Sequence, residues 1–113
     1  MTAYKVVLVP FPFDDLSSSK VRPAVCLTNP TGEYRHVVLA FITSKSPAAP
    51  LSTDMTISRN SADFSSTGLR VSSTLRLHRM MTVSTSIIRR ELGQFSPELK
   101  LQVQERLRLL FDL

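Results

Sequence analysis

The sequence predicts a mainly β domain, a small and strongly bent antiparallel sheet or barrel, with one C-terminal helix. Short apolar runs of strand length recur between turn-forming residues, and residues 69–78 alternate between apolar and polar side chains. Helical spacing of apolar residues follows Ser96. With 113 residues, the chain is expected to form a single domain, residues 1–113, around a small core.

The first half of the chain predicts three strands. Residues 4–13 are apolar on both faces, which is typical of a central strand. Residues 23–28 and 34–43 form the next two strands, and residues 29–32 (Asn-Pro-Thr-Gly) between them have the composition of a turn. We therefore expect the second and third strands to pair as a hairpin.

The second half begins with a long irregular connection, residues 44–67, that holds a possible short strand at residues 54–58. Residues 69–78 then predict a half-buried strand. Ile87 and Ile88 are expected to close the sheet. The core face of the strand at 69–78 would carry Leu69, Val71, Leu75 and Leu77, and the polar face Arg70, Ser72, Thr74, Arg76 and His78.

A helix is predicted after residue 95, because Ser96 suits the N-cap and Pro97 the first helical position. Its apolar stripe would pack on the sheet. The stripe consists of Leu99, Val103, Leu107, Leu110 and Phe111.

Composition indicates an ordered globular protein with an anionic partner. Hydrophobic residues make up 42% and charged residues 20% of the chain, which excludes a disordered class. The net charge of +5 favours nucleic acid or an acidic protein as a partner. The lone cysteine, Cys26, lies in an apolar strand and is expected to be a buried core residue. With no signal-peptide pattern and no apolar run long enough to span a membrane, a cytoplasmic protein is expected.

Several kinds of catalytic site find no support in the sequence. His36 and His78 are the two histidines, and neither has cysteines or carboxylates at metal-ligand spacing. The glycines Gly32, Gly68 and Gly93 are too far apart to form a phosphate-binding loop. This leaves acid–base chemistry without a metal or cofactor, or simple binding.

Arg22 is the first candidate for such chemistry. Pro23 fixes its own φ and holds Arg22 in an extended conformation at the start of the second strand. A pre-placed guanidinium group beside a flexible acidic and serine-rich stretch can grip and polarise a phosphate. The alternative is a structural ion pair with Asp14 or Asp15.

Four segments in this order resemble the MazF/PemK toxins, the metal-independent ribonucleases of bacterial toxin–antitoxin pairs. The resemblance implies an SH3-like barrel, shared with the CcdB toxins, and a symmetric homodimer. It also implies an acidic antitoxin that covers the site. The segments are VVLVPFPFDDLSSSKVRPAVCLTN (6–29), VLAFITSK (38–45), STLRLHRMMTVS (73–84) and LGQFSPELKLQVQERLRLLFDL (92–113).

The resemblance also implies site residues. Arg22 matches the catalytic arginine of the family's Arg-Pro motif, and Thr43 and Ser44 match its strand-end Thr-Ser pair. Arg76 and His78 stand where some members have Arg-x-Asp, so the imidazole of His78 is the candidate base. Thus Arg22, Thr43 and His78 form the predicted catalytic set, and Ser44, Arg76, Lys20, Asp14 and Lys45 the predicted substrate-binding set.

The expected function is that of a toxin that cleaves single-stranded RNA at specific sequences. The RNA 2′-hydroxyl would attack the phosphate, giving a 2′,3′-cyclic phosphate and a free 5′-hydroxyl. Two other readings stay open: a non-catalytic barrel toxin that inhibits gyrase in the manner of CcdB, and a plain RNA-binding barrel.

Overall fold

In the computed structural model, which describes residues 3–10 and 20–113, six strands form one antiparallel sheet. The sheet has the order β4-β5-β3-β2-β1-β6 and curls into a half-barrel. The predicted pairing of the second and third strands is confirmed, because β2 and β3 pair directly. The turn closes at residues 32–35 and not at 29–32, since the Arg35 N–H donates to the Gly32 carbonyl at 3.2 Å. The strands are β1 (Lys5–Pro10), β2 (Val21–Cys26), β3 (His36–Thr43), β4 (Asp54–Ile57), β5 (Ser73–Ser84) and β6 (Arg90–Gln94).

Two helices, α1 (Phe64–Thr67) and α2 (Pro97–Phe111), and a 3₁₀ turn at Thr85–Ile87 complete the described structure. The predicted start of α2 is confirmed, since the Ser96 hydroxyl accepts a hydrogen bond of 3.2 Å from the Leu99 N–H. No helix within the described residues is long and apolar enough to cross a membrane.

The central strands carry buried apolar side chains on both faces, as predicted for the first strand. On one face, Val6 and Val25 belong to a cluster that includes Leu99 and Val103 of α2. Side chains alternate along a strand, so the neighbouring residues face the other way. They form a second buried cluster of Val7, Val9, Ala24, Cys26, Val37, Leu39, Phe41 and Val83.

The strand predicted at residues 69–78 is shifted along the chain. Gly68 ends α1 in the left-handed conformation, and the chain needs the next four residues to reach the sheet. The prediction that Val71 faces the core is wrong, because its side chain is 49% exposed. The strand also continues beyond His78, since residues 80–84 pair with β3.

Two smaller expectations are also wrong. Ile87 lies in the 3₁₀ turn and Ile88 follows it, packed against the second buried cluster. The sheet is extended instead by β6, which pairs with β1. Phe111, the final residue of α2, is 56% exposed, whereas Leu107 and Leu110 pack against the core.

Candidate functional site

A cavity of about 520 Å³ opens between the end of β3, the start of β2 and the segment that follows α1. Six of its described lining residues have cationic side chains, and no described lining residue is an aspartate or a glutamate. Such a concentration of positive charge favours an anionic ligand. We call it the basic cavity; its cations are Arg22, Lys45, Arg70, Arg76, Arg79 and Arg90.

The rest of the lining is mixed. The hydroxyl groups of Thr43, Ser44 and Ser73 add neutral hydrogen-bonding groups. Apolar side chains supply the remaining walls, so the cavity suits a ligand with both negative charge and flat apolar surface. These apolar residues are Leu8, Pro23, Phe41, Ile42, Leu69, Val71 and Leu92.

Arg22 reaches the basic cavity from β2, where it is half-buried. It is the second residue of the strand, which begins at Val21, and it lies opposite Val9 of β1. Pro23 is tolerated here because β2 begins to pair with β3 at Ala24, so the missing N–H removes no bond from that ladder. The Arg22 backbone is therefore set by an ordered strand, as the Arg-Pro pair predicts.

Thr43 is the last residue of β3, and Ser44 and Lys45 follow it along the cavity wall. The Thr43 Oγ1 accepts a hydrogen bond of 3.1 Å from the backbone N–H of Lys45. This bond fixes the turn after the strand, while the hydroxyl keeps its own proton as a donor. The strand end thus presents two hydroxyl groups and a cation within three residues.

Arg76 on β5 forms an ion pair with Asp54 on β4. Its Nε lies 3.2 Å from Oδ1, and its Nη2 lies 3.2 Å from Oδ2. The Asp54 side chain is 6% exposed and that of Arg76 is 22% exposed. Asp54 is absent from the predicted site, because a separation of 22 residues hides the pairing until the register of β4 on β5 is known.

The environment of Asp54 stabilises its ionised form. Burial alone would raise the pKa of the carboxyl group. This effect is outweighed by hydrogen bonds from the Leu51 N–H and from Arg76, by the charge of Arg76 and by the field of His78. The pKa of Asp54 therefore lies below its usual value. The pair is therefore ionic at neutral pH.

β5 contains a bulge that decides which side chains enter the cavity. Arg76 lies opposite Phe41 and Met80 lies opposite Ala40, so residues 77–79, the β5 bulge, have no opposite residue on β3. The bulge interrupts the alternation that predicts Arg76 and His78 on one face. Arg79 lines the basic cavity beside Arg76, whereas His78 is exposed and is not among the lining residues.

The structure therefore gathers part of the predicted site. Arg22, Thr43, Ser44, Lys45 and Arg76 line one cavity. Lys20 is exposed just before β2 and does not line the cavity, and Asp14 lies outside the described residues. The sequence-based set omits Arg70, Arg79 and Arg90. The alternation at residues 69–78 places Arg70 on the polar face with Arg76, whereas for Arg79 and Arg90 the general signal is only the net positive charge.

Comparisons with known proteins agree with this fold. The family model described as "PemK-like, MazF-like toxin of type II toxin-antitoxin system" matches residues 2–111. No curated protein matches the chain.

Two solved structures share the fold over nearly their whole length. One is an endoribonuclease from a mycobacterial species in complex with its cognate antitoxin, with a TM-score of 0.72 and 13% identity, covering 100% of this chain and 96% of that one. The other is the Mycobacterium tuberculosis toxin MazF-mt6, with a TM-score of 0.70 and 19% identity, covering 96% of this chain and 97% of that one. The small barrel expected from the resemblance is confirmed, and the family match over residues 2–111 shows that this protein belongs to the PemK-like, MazF-like toxins of type II toxin–antitoxin systems.

Proposed function

We propose that this toxin is an endoribonuclease that cleaves single-stranded RNA in the basic cavity, without a metal ion, by attack of the RNA 2′-hydroxyl. The observation that carries the proposal is the set of six cations that line one cavity together with two strand-end hydroxyls. RNA offers both features that the cavity suits, namely phosphate charge and flat bases. The mycobacterial endoribonuclease of the same fold supports the assignment.

In the proposed reaction, the 2′-oxygen forms a bond to phosphorus and the bond from phosphorus to the 5′-oxygen breaks. The 2′-hydroxyl loses its proton to a base, and the departing 5′-oxygen takes one from a general acid, for which Arg22 is the candidate, so the products are a 2′,3′-cyclic phosphate and a free 5′-hydroxyl. Arg22 binds the phosphate oxygens and stabilises the additional negative charge of the pentavalent intermediate. Thr43 and Ser44 orient the phosphate by hydrogen bonding, and Arg76 and Lys45 supply further positive charge.

His78 is the proposed base that accepts the 2′-proton; it is exposed and does not line the basic cavity, so this role requires the bound RNA to extend over the β5 bulge. It adjoins Arg79 in the β5 bulge, and Arg79 lines the basic cavity. A His78→Gln variant tests this role separately from that of Arg22. Loss of cleavage with unchanged RNA affinity supports the base, and unchanged cleavage removes His78 from the mechanism.

We propose an acidic antitoxin and a second copy of the chain as protein partners. The net charge of +5 and the basic cavity favour an acidic segment, which would compete with RNA for the same cations. The mycobacterial structure with its cognate antitoxin supports such a partner. Light scattering of the purified toxin, alone and with an acidic antitoxin peptide, measures both associations.

The function is tested by incubating purified toxin with a long RNA in EDTA and mapping the fragment ends. Arg22→Ala is the test variant, and Arg89→Ala, an arginine outside the cavity lining, is the matched control. We expect cleavage at a short recurring sequence with cyclic phosphate ends, lost in Arg22→Ala and kept in Arg89→Ala. Intact RNA with folded wild-type protein would contradict the nuclease and favour a gyrase-directed or purely RNA-binding toxin.

A further inference from the structure

The guanidinium group of Arg76 is held by the carboxylate of Asp54 in a two-point contact. Both distances, from Nε to Oδ1 and from Nη2 to Oδ2, are 3.2 Å. Asp54 and Arg76 also lie directly opposite each other in the pairing of β4 with β5. Two parallel bonds fix the orientation of the guanidinium plane as well as its position.

Asp54 is itself anchored on several sides. Its Oδ2 accepts a hydrogen bond of 2.8 Å from the Leu51 N–H, and its own N–H donates to the Leu51 carbonyl at 3.0 Å. The Asp54 carbonyl accepts a bond of 3.1 Å from Nε of Arg106 on α2. A turn, a strand pairing and the C-terminal helix thus hold this half-buried residue in place, and the carboxylate is a rigid support for Arg76.

Arg76 can bind Asp54 and a ligand at the same time. A guanidinium group has five N–H donors, and Asp54 engages Nε and Nη2. Arg76 lines the basic cavity, so its other N–H groups can be offered to an anion there. Stability is a weak reason for such an arrangement, because buried ion pairs seldom add much net stability.

We propose that Asp54 is a positioning residue that orients the guanidinium group of Arg76 toward a phosphate of the bound RNA. The inference deepens the proposed RNA-cleaving function and rests on it. It also predicts that Asp54→Asn weakens RNA binding, which is the opposite of what the change in charge alone would do. Removing the negative charge of Asp54 would strengthen RNA binding if charge alone mattered, whereas the loss of Arg76 orientation weakens it.

The test is a double-mutant cycle of Asp54→Asn, Arg76→Gln and the double variant. The ligand is a single-stranded 2′-O-methyl RNA oligonucleotide, which lacks the 2′-hydroxyl needed for cleavage. We expect Asp54→Asn to weaken binding at least about threefold, and to have almost no further effect once Arg76 is replaced. Tighter binding by Asp54→Asn, or the same loss in both backgrounds, would overturn the positioning role.

Two further variants separate positioning from folding. Arg76→Lys keeps the charge but cannot form the two-point contact, so it should also weaken binding. Asp54→Glu keeps the carboxylate and should recover part of the affinity that Asp54→Asn loses. If Asp54→Asn does not fold, as judged by thermal unfolding, Arg76→Lys decides the matter, since wild-type affinity in that variant would overturn the proposal.

Cleavage of unmodified RNA by the wild type is measured in parallel. Absence of cleavage rejects the endoribonuclease function and leaves the binding cycle to decide the role of Asp54. Cleavage together with independent effects of the two substitutions rejects only the positioning role. Failure of the wild type to bind the oligonucleotide, together with absence of cleavage, rejects both.

Discussion

Asp54 and Arg76 lie opposite each other in the pairing of β4 with β5. The Arg76 Nε lies 3.2 Å from the Asp54 Oδ1, and the Arg76 Nη2 lies 3.2 Å from Oδ2. The contact ties the edge strand of the sheet to the wall of the basic cavity. Because Arg106 of α2 donates to the Asp54 carbonyl, the C-terminal helix is linked to the same point. Asp54 therefore links the packing of α2 to the geometry of the basic cavity.

The lowered pKa of Asp54 predicts acid sensitivity. A carboxyl group whose pKa is lower in the folded than in the unfolded protein stabilises the fold above its unfolded pKa of about 3.8. That contribution is lost as the pH falls through the folded pKa. We expect the free energy of unfolding, measured with urea, to decline below about pH 4 less steeply in Asp54→Asn than in the wild type. Identical declines would show that Asp54 does not carry this effect.

Two glycines with positive φ provide a matched stability test. A Cβ on Gly68, at φ 73°, would overlap the Leu92 carbonyl, whereas a Cβ on Gly32, at φ 77°, meets no described atom within 4 Å. Gly32→Ala should therefore cost about 1 kcal/mol, from backbone strain alone. Gly68→Ala should cost clearly more, because β6 must also move. Equal losses in urea unfolding would contradict a tight contact between Gly68 and Leu92.

Cys26 should be chemically inert in the folded protein. Burial, with a smaller effect from Glu91, raises the pKa of its thiol to about 11, and the side chain is fully buried. The reactive thiolate is therefore scarce at pH 8. We expect no reaction with Ellman's reagent in buffer and one equivalent of reaction in denaturant, with Cys26→Ser as the blank. Rapid reaction of the native protein would show that the strand opens or that the thiol is accessible.

Arg90 should contact RNA phosphate, whereas its neighbour Arg89 should not. Both are exposed, but Arg90 lines the basic cavity and Arg89 does not. Each phosphate contact to a single strand contributes about 0.7 to the slope of log affinity against log salt concentration. Replacing Arg90 by alanine should lower the slope for the 2′-O-methyl oligonucleotide by about this amount, and Arg89→Ala should leave it unchanged. Equal slopes for the two variants would exclude a phosphate contact at Arg90.

Local features of the sequence were sufficient for the elements whose geometry is set by near neighbours. Ser96 and Pro97 predict the start of α2 because an N-cap bond spans only three residues. The Asn-Pro-Thr-Gly run at residues 29–32 predicts the β2–β3 hairpin, although the turn itself closes three residues later, at residues 32–35. The alternation at residues 69–78 predicted the wrong strand bounds and the wrong orientation for some side chains. The end of α1 at Gly68 and the β5 bulge depend instead on contacts with distant strands.

The sequence by itself determined the fold class, the apolar pattern of the strands and the grouping of Thr43, Ser44 and Lys45 at a strand end. These follow from side-chain periodicity and turn chemistry, which act over a few residues. Only the tertiary structure decided that Asp54 supports Arg76, and that Arg79 rather than His78 lines the cavity. The physical reason is strand register: a single bulge changes which side chains face the cavity, and register is set by the packing of the whole sheet.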